Sequence, residues 1–157
     1  VTVRPLTDLA AMRGRGVACG LEDEGRGDEG VLAAWGAFDG DRLVGAICLE
    51  HQHGLDTPNW MAVDEAHRGR GVASALYPEL EREARRRGIR RLWVTARAPG
   101  FFLAQGFRLV AAGAERDALL GECPQCPQYG RECTPEALCK PLPEDESPRA
   151  ATTEGAT

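Results

Sequence analysis

The sequence predicts a mixed α/β domain, one sheet flanked by helices. Two apolar runs, Val31 to Phe38 and Leu43 to Glu50, flank the hairpin signal Asp39-Gly40-Asp41. A further extended run, Trp60 to Val63, leads through a glycine turn into a helical stripe and then into Ile89 to Thr95, so a strand–helix–strand unit follows the hairpin. With 157 residues, 43% of them hydrophobic, the chain has the size of one domain and enough apolar material for a core.

Each element has a local reason. Val1 to Pro5 alternates as a short strand and stops at a proline, and Thr7 or Asp8 can cap a helix through Leu9, Ala10, Ala11 and Met12. Residues 20–30, polar and rich in glycine, form a connector. Leu43 to Glu50 is mostly apolar, the pattern of a strand buried on both faces. Thr57-Pro58 precedes the short strand Trp60 to Val63. Val72, Leu76, Leu80 and Ala84 recur every four residues on a helix from Val72 to Arg87, stopped by Gly88. Pro78 sits inside that helix, where a lost hydrogen bond costs about 3 kcal/mol unless a kink relieves it. Pro99 starts a short helix through Phe102, Leu103 and Ala104, ended by Gly106; Phe107 to Ala111 begins another strand, and Ala137 to Leu142 forms the last. The expected domain is 1–142, with a cysteine-rich segment at 123–139. The acidic, small-residue stretch 143–157 reads as a disordered tail.

Charge and composition exclude several classes. No apolar run reaches the roughly 18 residues that span a bilayer, and Val1 to Leu6 lacks the apolar stretch of a secretory leader. The expectation is a cytoplasmic protein with no membrane partner. The net charge of −5 argues against general nucleic-acid binding. Residues 68–91, however, carry eight arginines against three glutamates, while the remainder holds 11 basic and 21 acidic residues. A basic patch on an acidic chain predicts a local anion site.

The chemistry-bearing stretch is the run from Met61 to Tyr77. A strand enters a loop containing Gly69 and Gly71, and the loop runs straight into a helix. Amides at a helix N-terminus have no partner within the helix, and the helix dipole adds positive potential there. Glycine admits a bulky anion close to the backbone, and Arg68 and Arg70 add full charges. These features describe a phosphate cradle; a tight turn with solvated arginines is the plainer alternative. The segment matches neither the P-loop pattern nor G-x-G-x-x-G, since position 74 is Ser.

Arg68-Gly69-Arg70-Gly71-Val72-Ala73 resembles the acetyl-CoA motif [QR]-x-x-G-x-[GA] of the GNAT (GCN5-related) N-acetyltransferases. Met61 to Asp64 resembles the family's strand before that loop, residues 75–94 its central helix and next strand, and Phe101 to Phe107 its Y-x-x-x-G-F signature. The likeness runs through residues 1–111 in element order and is specific from about 60 to 110. It implies a mixed, mostly antiparallel sheet with a parallel, splayed strand pair around the CoA motif. It also implies an enzyme that moves an acetyl group from acetyl-CoA to an amine by direct attack. Amides of Arg68, Gly69, Arg70, Gly71, Val72 and Ala73 would hold the pyrophosphate. Backbone groups of Met61, Ala62 and Val63 would meet pantetheine and the thioester carbonyl.

The sequence departs from the family in one catalytic position. Where many members carry a tyrosine that protonates the leaving thiolate stands Phe102, which has no proton to give. Tyr77, on the central helix, reads as a packing residue. Candidate bases are Glu50, His51 and His53 at the end of a hairpin strand, with polar strand-end residues as the plain alternative. Glu50 resembles the acidic residue of amino-acid-acetylating branches and is the catalytic candidate; Asn59 is a candidate for acceptor binding. Small amines, amino acids or their analogues first, are the expected acceptors, with protein or peptide amines next. A non-catalytic CoA-binding domain is the rival reading, and a homodimer is compatible with all of them.

Cys123, Cys126, Cys133 and Cys139 form the C-terminal cluster. Four thiolates could hold structural zinc, although the spacing lacks the paired knuckles of zinc ribbons. A disulfide or redox-sensitive thiols, and free cysteines in a proline-shaped loop, are the other readings.

Overall fold

The computed structural model describes residues 1–21, 27–96, 99–120 and 135–143. Among these, seven strands and four α-helices follow in the order β1 (Thr2–Pro5), α1 (Leu9–Ala18), β2 (Val31–Asp39), β3 (Arg42–Gln52), β4 (Leu55–Val63), α2 (Val72–Arg86), β5 (Arg91–Ala96), α3 (Gly100–Ala104), β6 (Arg108–Leu109), α4 (Ala114–Leu120) and β7 (Glu136–Pro141). A 3₁₀ turn, Glu65–His67, links β4 to the glycine loop.

Two antiparallel sheets result, one in the order β1-β2-β3-β4 and the other β5-β7-β6. The strand–helix–strand unit brings β5 beside β4, yet no ladder joins the two among the described residues. The expected splayed pair is therefore the seam between the sheets.

The helices α1 and α2 each cover one side of the first sheet. Val72, Leu76, Tyr77, Leu80 and Ala84 of α2 are buried with Trp35, Val44, Ile47 and Leu49. Met12 of α1 is buried with Ala34, Ala46, Cys48 and Trp60 in a second cluster. Val44 through Glu50 is buried without a break, as the apolar run in β3 predicts. Asp8 caps α1 by accepting the Ala11 amide at 3.0 Å.

The helix α2 ends as its sequence requires. Gly88 takes φ +78, and the Ile89 amide reaches back to the Ala84 carbonyl at 3.0 Å. Pro78 lies on the exposed face, and Ser74, whose carbonyl loses its helical partner, is exposed as well. Water can satisfy that carbonyl, so the proline is tolerated inside the helix.

Two expectations need correction. The strand expected from Trp60 to Val63 begins at Leu55, and Pro58 is part of it, opposite Leu49. Because β4 ladders to one neighbour only among the described residues, a missing N–H need not interrupt pairing. The helix Ala114–Leu120 is absent from the sequence reading; its seven residues are too few to build a periodic stripe. The polar connector at 22–26 and the tail from 144 lie outside the described residues.

Candidate active site

The site is built where β4 meets α2. At the end of β4, Asp64 is buried and ion-paired with Arg15 of α1, with Arg42 of β3 at 3.5 Å on its other oxygen. The Val63 carbonyl accepts from the Arg68 guanidinium at 2.9 Å, and from the Cys19 thiol at 3.6 Å. His67, nearly buried in the 3₁₀ turn, lies 3.3 Å from Asp39 through Nε2. The loop therefore starts from a junction clamped by three separate elements.

Past that junction the backbone opens. Gly69 and Gly71 take φ +74 and +80, and a Cβ on either would meet nothing within 4 Å. Space for a ligand lies directly over the chain, in a backbone conformation that favours glycine. The first helical residue follows at once. Gly71, the N-cap of α2, brings no side-chain hydrogen bond, and the first turn carries no acidic residue. The leading amides of a fifteen-residue helix are thus left for an external acceptor, in a positive local field that Arg68 and Arg70, both exposed, reinforce.

Before the junction, β4 is irregular. Ala46 pairs with Ala62 but Cys48 pairs with Asn59, so Trp60 and Met61 together stand opposite Ile47. This is a β-bulge, and Trp60 within it adopts φ +52, a region that bulky residues rarely enter. Two features hold it there. The Trp60 ring is buried under α1, where Gly16 leaves room; a Cβ on Gly16 would lie 2.5 Å from the ring. The Trp60 amide donates to the Asn59 side chain at 2.8 Å, and the same side chain donates to Glu50 at 2.5 Å.

Residues 9–107 match the family model described as Acetyltransferase (GNAT) family. The chain belongs to the GNAT acetyltransferase family. Solved structures agree in fold. Rv2747 from Mycobacterium tuberculosis, in complex with CoA and NLQ, shares 18% identity at a TM-score of 0.65, over 90% of this chain and 99% of that one. The ribosomal-protein-S18-alanine N-acetyltransferase from Escherichia coli shares 17% at 0.66, over 94% and 97%. FeeM, an N-acyl amino acid synthase from uncultured soil microbes, shares 16% at 0.63, over 90% and 89%. Family membership makes the chain an N-acetyltransferase that uses acyl-CoA.

As a GNAT enzyme it arranges its expected site residues unevenly. Met61, Ala62 and Val63 end β4, and Arg68 through Ala73 form the open loop and first helical turn. Glu50 is buried at β3, opposite Thr57, with its carboxylate on Asn59. His51 is exposed and sits 2.7 Å from Asp56 across the hairpin, while His53 forms the turn at φ +53. The three base candidates do not converge on one point.

Phe102 is buried in an aromatic cluster, 5.3 Å from Phe101 and 5.2 Å from Phe107 between ring centroids. Tyr77 packs on the same cluster and donates to Glu81 at 2.8 Å. Burial, and then that hydrogen bond, push the phenol pKa upward, so Tyr77 is a packing residue that holds its proton. Glu81 is a hub, taking Lys140 at 2.7 Å and Arg85 at 3.1 Å as well. Burial alone would raise its pKa, but the hydrogen bonds from Lys140, Tyr77 and Arg85 outweigh it and the pKa is lowered. Arg82, Arg86 and Arg87 pair with Glu79 and Glu83 on the helix surface.

Cys139 lies in β7, where burial raises its thiol pKa, while Cys123, Cys126 and Cys133 lie outside the described residues. Among the described residues no group of three or more His, Cys, Asp or Glu side chains converges, so nothing there supports zinc. No helix among them is long and apolar enough to cross a membrane.

Sequence reasoning missed Arg15, Asp64 and the bulge. Arg15 and Asp64 are 49 residues apart, and a positive φ at a tryptophan has no sequence signal. Asp64 adjoins the recognised motif, and an acidic residue ending a buried strand was the one available hint.

Proposed function

We propose that this GNAT protein transfers the acetyl group of acetyl-CoA to the amine of a small molecule, an amino acid or a close analogue. The observation that carries the coenzyme part is the α2 N-terminus: open glycines, uncapped amides and two exposed arginines at the end of the strand that borders the seam between the sheets. The residues present fit a diphosphate there. The Arg68 to Ala73 backbone binds it, and Met61 to Val63 orient the arm that lies along the seam. Acetyl-CoA supplies an activated thioester when bound.

The chain contributes positioning and a polar backbone surface. Phe102 gives no proton, and the buried Glu50 is engaged with Asn59. The acceptor accordingly enters as the neutral amine; its nitrogen bonds to the acetyl carbon as the C–S bond breaks, its proton leaves to water, and the departing thiolate takes its proton from water. The amino-acid preference draws on the likeness to an N-acyl amino acid synthase.

Thiol release from acetyl-CoA, measured across a pool of amino acids and an alanine-terminated peptide, tests the reading. Turnover with at least one free amino acid is expected, with a rate that follows the acceptor amine's own pKa. Tight CoA binding with no turnover of any amine would establish the non-catalytic alternative; turnover of the peptide alone would move the acceptor class.

A further inference from the structure

Glu50 is the one acidic side chain among the strands of the first sheet that is fully withdrawn from solvent, at 2% exposure. Its backbone stands opposite Thr57, but its carboxylate reaches Asn59, the diagonal neighbour two residues further along β4. Asn59 then faces two demands at once. Its Nδ2 donates to Glu50, and its Oδ1 accepts the Trp60 amide. The two bonds fix which end of the amide is which. With the carboxylate gone, the amide loses the contact that opposes its flip, and a flipped amide would set a donor against the Trp60 N–H. That N–H belongs to the residue at φ +52, in the bulge that decides how Met61 to Val63 face the seam.

We propose that Glu50 is a positioning residue: through Asn59 it locks the β4 bulge that presents Met61 to Val63 to the thioester. The proposal rests on the acyl-CoA reading above and assigns Glu50 a task other than proton removal. An acceptor oxygen is what the lock needs, and a negative charge is not required. Glutamine offers the same oxygen, so Glu50→Gln should preserve the lock, whereas Glu50→Leu and Asn59→Ala should break it.

The reversed pair is the sharper probe. Asn59→Asp alone sets two carboxylates together. Adding Glu50→Gln restores a donor–acceptor pair of opposite polarity, with the Trp60 amide still accepted by the aspartate.

Two readouts on the full chain test this. One is the affinity for acetyl-CoA by calorimetry, and the other is hydrogen exchange of the Trp60 amide, which needs no ligand. Glu50→Gln should bind within about threefold of wild type, while Glu50→Leu, Asn59→Ala and Asn59→Asp should each lose about tenfold, the scale of one buried hydrogen bond. The Asn59→Asp/Glu50→Gln double variant should recover most of that loss, and Trp60 exchange should follow the same order. Should Asn59→Ala fail to fold, the reversed pair carries the test.

The proposal is overturned if Glu50→Gln fails like Glu50→Leu, if the double variant shows no recovery, or if Asn59→Ala leaves exchange and affinity unchanged. It is overturned also if Glu50→Gln binds normally but loses turnover a hundredfold, the mark of a base. Absence of acetyl-CoA binding by the wild-type chain is a separate failure, that of the coenzyme reading; Trp60 exchange then still decides whether Glu50 and Asn59 form the lock.

Discussion

Three glycines show how one residue type serves three ends. Gly14 and Gly16 both lie in α1, where alanine gains about 1 kcal/mol of helix propensity. At Gly14 a Cβ meets nothing within 4 Å, so Gly14→Ala should stabilise the protein by about 0.5–1 kcal/mol. At Gly16 it would press 2.5 Å from the buried Trp60 ring, which has no free end to yield. Overpacking of about 1–3 kcal/mol exceeds the propensity gain, and Gly16→Ala should lower the urea midpoint. Gly71 tests the anion site. Gly71→Ala strains a left-handed position by about 1–2 kcal/mol yet leaves space above the loop. Gly71→Glu also places bulk and like charge where the diphosphate is proposed to sit, and should abolish CoA binding in calorimetry. Unchanged affinity would remove the loop from the site.

At the scale of elements, α2 is the member whose sequence and structure agree most fully. Its four-residue stripe, its glycine stop and its bare N-terminus are each written in residues close together in the chain. Its polar flank makes a pH prediction. The Glu81 pKa in the folded state lies below the ordinary glutamate value of 4.5. The stabilisation from its Lys140, Tyr77 and Arg85 contacts is therefore present above that value and lost as pH falls through the folded pKa. Urea midpoints of wild type and Glu81→Gln should differ at neutral pH, and the gap should close on acidification. A gap that persists unchanged at low pH would contradict it. The strand β4 was half legible. Thr57-Pro58 carries turn chemistry, and only the ladder to Leu49 and Glu50, whose partners are fixed by the whole hairpin, makes that stretch a strand. The bulge was hidden for a similar reason: it depends on Gly16 beneath Trp60 and on Glu50 beside Asn59, contacts between residues far apart in sequence. The open glycine turn ahead of α2 was legible because strand, glycines and helix are contiguous. The base candidates were not resolved, because strand-end histidines look alike whether or not they face a cavity.

For the whole molecule, the two sheets meet along β4 and β5 without a ladder between them among the described residues. The coenzyme proposed to lie along that seam would contact both halves, so its binding should favour the folded state. Acetyl-CoA at a hundred times its dissociation constant should therefore add about 2.7 kcal/mol to stability, seen as a rise in Tm that Gly71→Glu abolishes. The first helix has a consequence of its own. Arg15, Gly16 and Cys19, within a turn and a half of one another, touch Asp64, Trp60 and Val63. One face of α1 is thus the splint for both the kinked stretch and the strand end that leads into the glycine loop. Shortening or loosening the amino end should weaken coenzyme retention before it melts the hairpins, an injury felt far from where the cut is made.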